Sequence, residues 1–249
     1  MRKIFFKFLP AAIMTFIAAG SLYGQNVYFP GVVPFVSLSA SVSKKLDLNI
    51  LALSKIRIGD YTIRSVKYEP GPTQFYSHAI LSYKLTPHWQ IGGGFAFQRN
   101  DPFRSDWKND YRVIEQLIYS QSSTKWKFST RLKVEERWFY YPDGTSNFGT
   151  RIRYQPTIMR QLKEWKVYWE LYDELYAIPT GPRNSFISEN WFYTGIGFTL
   201  SSSNRLDTGV SLNSVVMNTR HDLNSLCMLQ VMWNHTFISV HKEKGHSAE

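Results

Sequence analysis

The stretch Trp126–Trp138, WKFSTRLKVEERW, decides the fold. Trp126, Phe128, Thr130, Leu132 and Val134 occupy every second position, and Lys127, Ser129, Arg131, Lys133, Glu135 and Arg137 lie between them. A period of two is a β-strand with one apolar and one polar face. The run has thirteen residues, more than twice the common strand length in globular proteins and enough to cross a bilayer at a tilt. Almost every position on the polar face is charged. An Arg or Lys facing lipid at mid-bilayer costs about 2–4 kcal/mol, so that face must point into a lumen. The same alternation recurs along most of the chain. It predicts an all-β fold, an antiparallel transmembrane β-barrel of 10–12 strands, with lipid outside and a polar lumen inside.

Working outward, alternating runs cover Val33–Val42, Leu46–Ile58, Phe75–Leu85, Trp89–Gln98 and Tyr111–Tyr119. After Trp138 they continue at Thr150–Met159, Trp165–Tyr176, Trp191–Leu200, Arg205–Val216 and Leu226–Phe237. Tyr61–Tyr68 is a weaker candidate. Single-chain bacterial barrels use even strand numbers, so ten or twelve is expected. If Tyr61–Tyr68 is a strand of its own, the Ser43–Lys45 turn becomes an outer loop; if it is not, the count becomes odd and another N-terminal strand is needed. Short connections near Thr86–His88, Ser120–Lys125, Gln161–Glu164 and Ser201–Asn204 alternate with longer ones. Trp89, Trp126 and Trp165 each follow a short turn, which places three indoles at one depth as an interfacial aromatic girdle. Pro156 lacks an N–H and marks a bulge or a weak point in the ladder.

The N-terminus addresses the compartment. Arg2, Lys3 and Lys7 precede an apolar run from Phe8 to Gly20, the anatomy of a secretory signal peptide over residues 1–24. Residues 25–237 then form the barrel and residues 238–249 a short charged tail. No later stretch approaches eighteen consecutive apolar residues, which excludes a helical membrane protein. The expected location is the outer membrane of a Gram-negative bacterium. The net charge of +10 carries no nucleic-acid motif with it; outer-membrane lipid and lipopolysaccharide are the expected partners, with small anionic solutes beside them. Cys227 is alone, so there is neither a disulfide framework nor a thiol metal site. The oligomeric state stays open.

Five further segments carry a resemblance. They are RVIEQ at Arg112–Gln116, RLKVEERW at Arg131–Trp138, TRIRY at Thr150–Tyr154, YDELY at Tyr172–Tyr176 and NWFYTGIGF at Asn190–Phe198. In this order and spacing, from about Tyr76 to Phe237, the chain resembles an uncharacterised family of outer-membrane barrels, domain of unknown function 2490. It departs from that family at Glu189, Asn190 and Trp191, where Gln-Asn-Arg or similar is usual. The resemblance implies a barrel and an outer-membrane address, and no activity.

The chemistry on offer lies on the polar register. A lumen charge network is expected from Arg112, Arg131, Lys133, Glu135, Arg137, Arg151, Arg153, Lys166, Glu170 and Glu174. Arg131, Glu135, Arg151, Arg153, Glu170 and Glu174 are expected to form an interstrand lattice. Two readings follow: a structural barrel plugged by salt bridges, or a narrow porin-like conduit for small polar, anionic solutes. A lipid- or lipopolysaccharide-modifying enzyme is the alternative. It would need an outward Ser–His pair, but Ser77 and His78 are consecutive and point to opposite faces. His88, His221 and His235 have no such partner pattern. No catalytic residue, metal site or cofactor is assigned. Gly92, Gly94, Gly195 and Gly197 face inward and let the barrel curve or leave room for large lumen side chains. Glu115 falls on the apolar register, which a bulge or a bilayer-edge position would explain. The loops bring Arg104, Trp107, Lys108 and Arg183, a cationic and aromatic set suited to a surface ligand.

Overall fold

The computed structural model describes residues 26–63, 66–163, 166–183, 185–216 and 223–237. The expected signal peptide and charged tail lie outside the described residues. The strands are β1 (Asn26–Ser41), β2 (Leu46–Arg57), β3 (Tyr61–Ile63), β4 (Val66–Tyr68), β5 (Gly71–Lys84), β6 (Trp89–Asn100) and β7 (Lys108–Ser122). They continue as β8 (Trp126–Tyr140), β9 (Ser146–Lys163), β10 (Val167–Thr180), β11 (Ile187–Thr199), β12 (Asn204–Val216) and β13 (Leu223–Phe237). Eleven of them close into a barrel in the order β1-β13-β12-β11-β10-β9-β8-β7-β6-β5-β2. All joints are antiparallel except the seam, where β1 runs parallel to β13 from Asn26 beside Leu223 to Ala40 beside Phe237.

The expectation of an even count is therefore corrected to eleven. Tyr61–Tyr68 does not cross the wall. It forms the separate hairpin β3–β4, and three residues at about 3.3 Å each are too short to span. The Ser43–Lys45 turn consequently sits at the same end as the other short turns. At that end Val42, Leu85, Ser123 and Leu200 each donate a backbone N–H to the carbonyl of the strand that follows. Ser43, Thr86, Ser123 and Ser201 supply the same device. Each hydroxyl accepts from the backbone N–H of a residue two or three positions on, which closes a turn without a glycine. The opposite end carries the longer loops and the β3–β4 hairpin.

Side chains alternate across the wall as the period of two requires. On β8, Trp126, Leu132, Trp138 and Tyr140 are exposed, while Lys133, Glu135, Arg137 and Phe139 are buried. On β5, Phe75, Leu81 and Tyr83 are exposed while Tyr76, His78, Ile80 and Ser82 are buried. The core is thus the lumen. One side of it packs Val33, Phe35, Tyr172, Tyr176, Trp191, Tyr193 and Met228. Tyr76, Ile80, Ala96 and Ile114 form a second cluster, and Leu51 and Leu53 touch both. Pro156 causes no bulge. The β9–β10 register is the same on both sides of it, but the rungs opposite Asp173 and Glu174 are missing. Glu115 is also free of a bulge: it sits mid-strand, exposed on the outer wall between Gly93 and Val134.

Inward glycines make room. A Cβ on Gly195 would strike the Tyr193 phenol, and one on Gly197 the Tyr168 ring and the Asp207 carboxylate. At Gly94 it would strike the backbone of Ala79, whereas on the outward neighbour Gly93 it would meet only the Ile114 carbonyl oxygen, at 3.6 Å. Two adjacent Gly→Ala changes should therefore part company. Gly94→Ala is expected to destabilise the barrel by about 1–3 kcal/mol, because rigid backbone must yield. Gly93→Ala should be neutral or slightly stabilising, through a less flexible unfolded chain. Urea denaturation of the two refolded variants measures the difference.

Candidate functional site: a charged girdle below a basic vestibule

Glu135 on β8 is the hub, with no solvent exposure. Its Oε2 accepts from Arg151 Nε at 2.7 Å, and its Oε1 from Arg153 Nη1 at 2.8 Å. Arg112 Nη1 lies 3.5 Å away. Arg153 also donates two bonds to Glu174, at 3.0 and 2.7 Å. Glu174 takes further bonds from the Tyr176 hydroxyl and from Arg131. Asp110 receives Arg112 at 2.6 Å and Arg137 Nε at 3.1 Å. On the other flank Lys55 donates to Asn213 at 2.7 Å and stands 3.6 Å from Glu189, which also lies 3.9 Å from Arg151. Arg151 and Arg153 both stack near the Tyr176 ring, Arg112 near Tyr76, and Lys55 over Trp191 at 4.5 Å. Forked guanidiniums and planar carboxylates on neighbouring strands suit this arrangement, because Arg112, Arg131, Arg151 and Arg153 each reach two or more partners at once.

Seven of the ten expected network residues meet here: Arg112, Arg131, Glu135, Arg137, Arg151, Arg153 and Glu174. Lys133 is inward and only 1% exposed, yet it makes no hydrogen bond or ion pair among the described residues. Glu170 shares the inward register of β10 but pairs with none of the expected arginines. Lys166 does not reach the lumen. It is exposed in the turn before β10, which begins one residue later, and its carbonyl caps Thr199. Three charged members were absent from the expected set: Asp110, Lys55 and Glu189. Gln98 and Gln155 also join, as acceptors for Arg112 and Arg131. Parity could have found Asp110, two residues before Arg112, and Glu189, two before Trp191.

The girdle divides the lumen. Above it, toward the long loops, opens a vestibule of about 690 Å³. A recess of about 60 Å³ continues downward among Tyr76, Arg112, Arg151, Arg153 and Tyr176. At the turn end a separate cavity of about 380 Å³ is lined by Asp47, Asn49, His78, Lys84 and Arg131 among others, and shares no lining residue with the vestibule. In the vestibule loop the Arg104 guanidinium, hydrogen-bonded at 2.9 Å, holds the Asp106 carboxyl below the usual carboxylate range.

Outside, Trp89 and Trp126 are exposed at the turn end, Trp89 packing on Tyr119 with ring centres 4.9 Å apart. Trp165 lies outside the described residues, as does His221. Ser77 is outward and His78 inward, where its ring nitrogens meet the Tyr76 hydroxyl and Asn49. His88 sits in a turn against the Ser120 carbonyl and His235 against Asn204. Cys227 is exposed on β13.

A search of curated proteins finds none similar to this chain. Residues 36–224 match the family model described as Protein of unknown function (DUF2490), and with most of its length inside that match the chain belongs to this family.

Proposed function

We propose that this protein is an integral outer-membrane β-barrel with a sealed lumen, a structural wall element rather than an open conduit. The outer surface supports the membrane part of the reading. Phe95 is 70% exposed, and Leu81, Ile91, Leu132, Val210 and Leu229 also stand out from the wall, an apolar surface far too extensive for water. Aromatic residues bound it at both ends. Trp89, Tyr119, Trp126 and Trp233 lie toward the turns, and Phe97, Tyr111, Trp138, Tyr140 and Phe148 toward the loops. Tyr111 to Tyr119 on β7 and Trp126 to Trp138 on β8 correspond to about 26 and 40 Å of strand. A tilt of about 40° reduces these to roughly 20 and 30 Å, either side of the usual apolar band of a barrel. The N-terminal pattern at Arg2–Gly20 supports export, and lipid with lipopolysaccharide is the surrounding partner.

The seal rests on one observation. Glu135, fully buried, gathers Arg112, Arg151 and Arg153 between the two end cavities. An ion would have to displace these bonds to pass. Folded protein in planar bilayers is therefore expected to give no stepwise current under a salt gradient. A steady, anion-selective current from wild-type protein would overturn the seal and restore the narrow conduit.

A further inference from the structure

We infer that the long-loop vestibule is a binding site for a small, soluble, multivalent anion bearing phosphate or carboxylate groups. Its volume of about 690 Å³ is that of a small-molecule pocket. Its lining holds eight basic side chains against three acidic ones. The larger cavity at the turn end has only Lys84 and Arg131 against Asp47, and a smaller one there, of about 210 Å³, has Lys125, Lys127 and Arg205, so the vestibule gathers more basic side chains than either.

The basic groups are arranged in depth. Lys67, from the β3–β4 hairpin, joins Arg104 and Arg183 from two loops at the rim. Lys108 stands on the wall, where its ammonium lies over the Phe139 ring at 5.1 Å and has no carboxylate partner among the described residues. Lys55 and Arg151 form the floor. They share Glu189 at 3.6 and 3.9 Å, while Lys55 also donates to Asn213 and Arg151 to Glu135, each at 2.7 Å, so both cations are held in place at the cavity floor. Arg183 is held by its own loop, donating to the carbonyls of Ile178 and Pro179 at 2.7 and 2.6 Å. Its position is thus set before any ligand arrives. A concave site with a low-dielectric wall and one sign of charge concentrates counter-ions. Charged donors at several heights select an anion with more than one charged group over chloride. A lipid headgroup shares this chemistry, but the vestibule lies within the perimeter of the barrel, away from the surrounding leaflet. The floor is the girdle, so the site is a dead end, and the inference holds whether or not the girdle leaks.

The test is calorimetric titration of the full folded barrel in nanodiscs at low salt, with inorganic pyrophosphate and citrate as probes. One saturable site for either probe is expected, weakening as salt rises. The pair Lys108→Gln/Arg183→Gln should weaken it at least about tenfold, while Lys84→Gln at the far cavity leaves it unchanged. Both double and single variants are first checked for the gel mobility of a folded barrel. No saturable binding of either probe would overturn the site, and so would an equal loss in Lys84→Gln. Equal affinity in zwitterionic and anionic nanodiscs supports a soluble ligand. Loss of binding in the anionic discs would give the site to a headgroup and overturn the assignment.

Discussion

Glu135→Gln is expected to destabilise the barrel by about 3–5 kcal/mol, the cost of leaving buried charge without its partner. The substitution barely changes volume, so packing is not the cause. It withdraws the carboxylate from Arg112, Arg151 and Arg153, whose side chains are only 1%, 7% and 10% exposed. Asp110 and Glu174 are already engaged with these and other arginines, and Glu189 with Lys55 and Asn213, so no spare anion replaces it. Urea unfolding of protein refolded into detergent should show the loss as a lower midpoint at unchanged slope. Glu170→Gln, a carboxylate on the next strand but one that lacks these partners, should stay within about 0.5 kcal/mol. The double variant Glu135→Gln/Arg151→Gln should be less damaging than the two singles together, with a coupling of about 0.5–3 kcal/mol. Strict additivity would mean that the charges are independently solvated and that the girdle is not a lattice.

The second large effect separates two neighbours on β8. Leu132 is 42% exposed on the outer wall between Leu117 and Tyr154. Leu132→Arg is expected to cost about 2–4 kcal/mol in a bilayer, because the guanidinium must enter the apolar band. Lys133 faces the lumen, and Lys133→Met removes an amine that is buried with no hydrogen bond or ion pair among the described residues. Replacing such a charge by an apolar chain of similar length should be neutral or stabilising. The fraction of protein folded into lipid vesicles reads both. Equal damage from the two would undo the assignment of inside and outside.

The wall was legible in the sequence because its physics is local. Alternation of Trp126, Phe128, Leu132 and Val134 with charges needs only the pleat of one strand, and each long strand of the wall but β1, whose first seven residues the alternation does not mark, lies within about four residues of its expected ends. The closure was not legible. Whether Tyr61–Tyr68 crosses depends on where Arg57 and Gly71 meet, and these pair directly as neighbours on β2 and β5. The hairpin is thereby left outside the barrel and the parity changes. The girdle was legible only where charges fall mid-strand, as at Arg131, Glu135 and Arg153. The alternation marks a strand only from Tyr111, which leaves Asp110 outside it, yet β7 starts two residues before Asp110 and buries it completely. Lys166 failed in the opposite sense, since alternation alone does not say where a strand begins. Lys55 and Glu189 lie in sequence far from the arginines they serve, and only the closing of the cylinder brings them together.

The parallel seam sets a rule for rewiring the chain. Asn26 and Phe237 stand at opposite rims, separated by fifteen paired residues of β1 and β13. In an even barrel both ends share a rim, and a loop of a few residues would splice them. Here a splice must travel the height of the wall, and fifteen residues cover about 50 Å at 3.3 Å each. A circular permutant of this protein thus needs a linker as long as a strand. Given an alternating sequence, that linker would have the length and direction to insert between β1 and β13 as a twelfth strand, turning the one parallel joint into two antiparallel ones.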